Sequence, residues 1–131
     1  MRVELLEVNK PNGNNRVYPK DLMEREIVRY KKTFVDERRA FVCKKQPEDT
    51  TVNLMDVIGL VTDIRVQDDK VVAEIENLNT KDADEYWPLI ESGQFSVRTS
   101  GIATTHIGPD GVYIINDDYE LISLFITTDP A

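Results

Sequence analysis

The sequence predicts an α+β fold, a single β-rich domain of about seven short, mostly antiparallel strands with two flanking helices. Apolar residues alternate at period two in several short runs, bounded by clusters of Gly, Asn, Asp and Pro. Two longer windows show helical spacing behind start signals instead. The runs are also too short and evenly spaced for the crossover helices of a parallel sheet. A chain of 131 residues without linker, repeat or low-complexity tract reads as one domain over 1–131.

Taken in order, residues 2–8 form a first strand of imperfect alternation through Val3, Leu5 and Leu6. Asn9 to Asn15 is a loop: its Asn and Gly tolerate left-handed backbone angles, and Pro11 has no ladder donor. Pro19 keeps Tyr18 extended, and Pro19 or Asp21 opens the first helix, with Asp21 and Glu24 at capping-box spacing and Leu22, Met23, Ile27, Val28 and Tyr30 as its apolar residues. That helix should fade near Thr33. Residues 40–43 form a short strand ending in Cys43, read as a small buried hydrophobe. Residues 51–66 and 70–78 pair through Asp68-Asp69 in the most secure hairpin of the chain, with Ile58, Leu60, Ile64 and Val66 on one side. A second helix spans 80–92, with Asp82 and Glu85 at box spacing, Trp87 and Ile90 inward, Pro88 as a kink and Gly93 as the stop. A strand follows from Phe95 to Ile102, and residues 111–116 and 119–127 complete the set after the turn at Gly108-Pro109-Asp110-Gly111.

Composition narrows the function. Hydrophobic residues at 40% and charged residues at 31% describe an ordinary globular chain. No apolar run is long enough to span a bilayer, and Met-Arg-Val-Glu does not read as a signal peptide. A lone cysteine allows no internal disulfide, and one histidine beside it leaves too few ligands for zinc. We expect no cofactor. A net charge of −8 argues against general nucleic-acid affinity. The charge is uneven: residues 1–45 carry +5 and residues 46–131 carry −13. Such asymmetry suits contacts with a charged partner or with further copies of the chain.

The chemically suggestive stretch is 93–103, where Ser96, Arg98, Thr99 and Ser100 put hydroxyls and a guanidinium on one strand. His106 is the only histidine, so any imidazole base must be this residue. Ser96, Thr99 and Ser100 are possible nucleophiles, but a hydroxyl is inert without an adjacent base and an oxyanion hole. A base a few residues along the same strand lies too far to reach back, at ~3.3 Å per residue. No glycine-rich phosphate cradle is present.

The order of the pieces then carries a resemblance. Asn12-Gly13-Asn14-Asn15-Arg16-Val17-Tyr18-Pro19 before a helix resembles the Asn-x-Asn-Gly-Arg-x-Tyr-Pro segment of the prohead maturation proteases of tailed bacteriophages. Those enzymes look like distant relatives of the herpesvirus assemblin. The likeness continues through Val52-Asn53-Leu54-Met55-Asp56-Val57, then Asp118-Tyr119-Glu120-Leu121-Ile122, and ends in Thr127-Thr128-Asp129-Pro130-Ala131. It implies a barrel-like sheet with flanking helices, and a place in the virion or prohead. The family's base lies in Gly-Glu-Leu-x-His-Pro; the matching Val42-Cys43-Lys44-Lys45-Gln46-Pro47 puts Gln46 at the histidine. Its nucleophile lies in Val-Ser-Ser-Arg-Gly; Val97-Arg98-Thr99-Ser100-Gly101 puts Arg98 and Thr99 at the serines. An amide takes no proton from a hydroxyl at neutral pH.

The resemblance thus implies a non-catalytic relative that binds phage capsid or scaffold protein, as decoration, cement or core component, with Arg98 as an ion-pair or interface residue facing Asp117 or Asp118. The alternative is an active maturation protease with a relocated site, Ser100 or Thr99 as nucleophile and His106 as base. Without the resemblance, the chain reads as a small β-rich interaction module.

Overall fold

The computed structural model describes residues 1–48 and 50–128. Residues 129–131 of the Thr-Asp-Pro likeness lie outside them. Its largest unit is a six-stranded sheet in the order β1 (Arg2–Glu7), β5 (Lys70–Asn77), β4 (Val57–Gln67), β3 (Phe41–Cys43), β9 (Glu120–Thr127), β6 (Ser96–Ile102). A smaller sheet joins β2 (Arg16–Val17), β8 (Tyr113–Ile115) and β7 (Thr105–Ile107). The described residues thus hold nine strands rather than about seven, because the connections around the first loop and the Gly108 turn pair as short strands of their own. Pairing is mostly antiparallel, but β3 runs parallel to β9 and β2 parallel to β8. Both parallel pairs join segments far apart in the chain, which local patterning cannot reveal.

The large sheet curls into a half-barrel. Bulges lie between Glu4 and Leu6, between Val61 and Asp63, and between Ser100 and Gly101, and each adds local twist and bend to its strand. The curl is sufficient for the two edge strands, β1 and β6, to approach one another. The bulge at Thr62 also breaks the expected one-sided alternation of β4, so Val61 is buried along with Ile58, Leu60 and Ile64.

Helix α1 (Lys20–Tyr30) packs on β4 and β9 through Leu22, Met23, Ile27 and Tyr30, while α2 (Lys81–Glu91) packs on β4 through Trp87. The Trp87 ring lies so close to Gly59 that an added Cβ would stand 3.1 Å from it. Of the two starts the sequence offers for α1, Pro19 rather than Asp21 is the N-cap, contributing its extended backbone and no side-chain bond. In α2 the Thr80 hydroxyl, at the first residue of the expected span and two residues before Asp82, accepts the Ala83 N–H at 3.1 Å. Beyond Tyr30 a π turn (Lys31–Val35) carries α1 on past the expected stop.

Buried Glu26 on α1 takes on a role usually played by a neighbouring strand. Its carboxylate accepts the Leu121 N–H at 3.3 Å and pairs with Arg29, whose guanidinium donates to the Leu121 carbonyl at 2.9 Å. The helix thereby satisfies both backbone groups of a residue beside the β9 bulge. No helix among the described residues is long and apolar enough to cross a membrane.

Candidate functional site

The main cleft, about 870 Å³, opens at the seam where β1 faces β6. Register explains what meets there. Cys43 pairs with Phe125, and Phe125 with Arg98, in one row across β3, β9 and β6. The chain leaving Cys43 therefore carries Lys44, Lys45 and Gln46 over the end of this row, toward Arg98 and Thr99. Gln46, Arg98 and Thr99, separated by about fifty residues in sequence, all line this one cleft.

Gln46 is exposed at its rim. Arg98 is half-buried and donates to the Val97 carbonyl at 3.1 Å. Burial lowers its pKa from the ordinary guanidinium value, yet arginine stays a cation throughout. It does not face Asp117 or Asp118 as expected: those line a separate hollow, where the Asp118 carboxylate accepts from Thr104 N–H and Oγ1. Thr99 lies beside Tyr18 and Tyr119, whose rings meet edge to face at 5.6 Å. Burial raises both phenols, more than the neighbouring Thr99 hydroxyl lowers them. Neither tyrosine is thus a ready proton acceptor for Thr99.

Ser100 and His106 are not brought together. Ser100 is buried in β6 and does not line the cleft. His106 is exposed on β7 in the smaller sheet, with Nδ1 held by the Asn116 amide oxygen, over the hollow shared with Thr104 and Asp118. Nor does Lys44, which lines the cleft, offer a free base. Its ammonium donates to Asp82 at 2.8 Å, and that bond raises its pKa, keeping it protonated.

Sequence reasoning missed the cationic rim of the cleft. Among the described residues, Lys10, Arg16, Lys44, Lys45 and Arg98 line it with Glu7 as the one carboxylate. The excess of positive charge in residues 1–45 was the available signal. That charge does not form a simple pole, however, because much of it is paired internally with the acidic half: Lys20 with Asp69, Lys31 with Asp63, Arg38 with Glu76, and Lys44 with Asp56 and Asp82. Among the described residues no group of three His, Cys, Asp or Glu side chains is placed to hold a metal ion.

Comparison with known proteins accounts for this architecture. The family model described as prohead core protein serine protease matches residues 3–128. The chain belongs to that family. Its structure superposes on the capsid assembly protease gp21 of bacteriophage T4 with a TM-score of 0.89, over 99% of this chain and 82% of that one. Sequence identity between the two is 19%, so the likeness is one of fold. A search among curated protein sequences finds no match.

Proposed function

We propose that this chain is a non-catalytic head protein on the prohead protease fold, binding capsid or scaffold subunits within the prohead or virion. The observation that carries this reading is the content of the cleft. Gln46, Arg98 and Thr99 stand where the family resemblance puts base and nucleophile, and the cleft lining includes neither serine nor histidine. Peptide hydrolysis by this family's chemistry needs a hydroxyl next to a proton acceptor. Here the imidazole lies on another sheet, and the Lys44 ammonium at the cleft is held protonated by Asp82. What the fold retains is a shaped, cation-rimmed surface suited to holding a partner.

The test is to mix the purified chain with the capsid and scaffold proteins of its phage. Complex formation without new fragments, and no adduct with a serine-directed covalent probe, is the expected result. Specific cleavage lost in Ser100→Ala or His106→Ala would overturn the proposal and establish a relocated active site.

A further inference from the structure

We propose that the chain forms a reciprocal two-fold dimer in which the Leu54–Met55 turn of each copy seats in the cleft of the other. The inference rests on the shape and lining of the cleft, not on whether the cleft performs chemistry. Leu54 is 71% exposed and Met55 80%, two adjacent large apolar side chains in water. They are not on a loose loop. The Asn53 side chain accepts the Met55 N–H at 3.0 Å, the Asp56 N–H donates to the Asn53 carbonyl at 2.9 Å, and the Lys44 N–H donates to the Asp56 carbonyl at 2.8 Å. A turn already held in one shape loses little freedom when it docks.

The cleft offers a matching receptor. Half-buried Leu6 and Phe125 contribute apolar surface to it, backed by buried Leu5 and Ile126. Exposed Glu48 on the loop that carries the turn complements Arg16 and Lys45 on the rim. Position decides the symmetry. Lys44 is bonded to Asp56 and also lines the cleft, so turn and cleft lie side by side on one face. Two copies related by a two-fold axis then fill both contacts at once, whereas a head-to-tail contact would leave one turn and one cleft open.

Sedimentation equilibrium of the full chain, up to roughly 200 μM, tests this. The expected mass is that of a dimer. Met55→Asp should weaken association at least about 100-fold, as loss of a central apolar anchor does. Gln46→Trp, filling the cleft from an exposed rim position, should do the same, with Asn14→Trp as a second plug if the first variant fails to fold. Mixing Met55→Asp with the plugged variant should restore a weaker heterodimer through the one intact turn and the one intact cleft. A monomer across the whole range, or a dimer that survives either the turn variant or the plug, overturns the proposal.

Discussion

Raising the pH should unfold this protein through groups buried behind the cleft. Burial pushes the Cys43 thiol up from 9.0 to about 11, with Asp56 acting in the same direction. Burial likewise lifts the phenols of Tyr30 and Tyr119 well above 10.0. In the unfolded chain these groups release their protons first, so the unfolded state binds fewer protons above pH 9 and stability falls as pH rises. Their contribution is fully present below pH 9 and is lost through the alkaline range. Each pH unit between the unfolded and folded values is worth about 1.4 kcal/mol per group. At pH 11 that makes roughly 2 kcal/mol for Cys43 and roughly 1 kcal/mol for each phenol, on the order of 4–5 kcal/mol in all. A loss of this size rivals the whole stability of many small domains. Lys20 and Lys44, raised by their bonds to Asp69 and Asp82, act in the same direction above 10.5. Urea titrations at unit steps from pH 8 to 11 should show the midpoint falling steeply above pH 9. Tyr30→Phe and Tyr119→Phe should each flatten the fall. Tyr30→Phe should also be at least as stable as the parent at pH 7, because the hydroxyl removed is buried without a partner. A midpoint constant to pH 11, or an unchanged slope in both variants, would refute the reasoning.

Glu26→Ala should cost about 3 kcal/mol or more in chemical denaturation, since it strands the Leu121 N–H and the Arg29 guanidinium together; Glu26→Gln, which retains an acceptor, should cost clearly less. Gly101→Ala should cost about 1–3 kcal/mol, because its Cβ would stand 2.7 Å from the Glu120 carbonyl oxygen and 2.9 Å from the Tyr119 ring. Thr80→Ala should lower stability by about 1 kcal/mol through loss of the α2 cap, and Asp82→Asn by less, since Asp82 makes only a partly exposed ion pair with Lys44. Gln46→His combined with Thr99→Ser should leave the melting temperature nearly unchanged, within about 1 kcal/mol, because neither side chain belongs to the apolar core.

The β4–β5 hairpin was legible because its information is local. Asp68 and Asp69 both take positive φ, the conformation a tight hairpin turn of this kind demands, and Gln67 pairs with Lys70 directly across it. Trp87 and Ile90 turned inward for an equally local reason, the spacing along one helix face. The helix starts were harder: Thr80 and Asp82 both precede residues that match a cap pattern, and only the hydroxyl pointing at Ala83 decides between them. The parallel pairing of β3 with β9 had no local signature at all. The cleft depends on that pairing, so residues alone could not show that Gln46 and Arg98 share a surface; family resemblance supplied the match between them. The charge asymmetry was real but misleading in one respect, because folding lays the basic helix against the acidic hairpin.

If the chain is the non-catalytic relative proposed above, the persistence of its fold follows from where its stability resides. The fully buried residues lie chiefly in α1, β3, the β4–β5 hairpin and β9, and the Glu26–Arg29 clamp ties the first of these to the last. Gln46 sits on an exposed loop, and Arg98 and Thr99 on an edge strand open to the cleft. Substitution at such positions removes few core contacts and leaves no fully buried group unpaired, which are the two routes to large destabilisation. Gly101, two residues beyond Thr99, is constrained instead by the backbone and ring packed against it. On a single strand, then, the position that shapes the sheet is sterically fixed while its neighbours facing the cleft are free to vary. Under the non-catalytic reading proposed above, chemistry at the seam could be lost without cost to the barrel, leaving a preformed cleft.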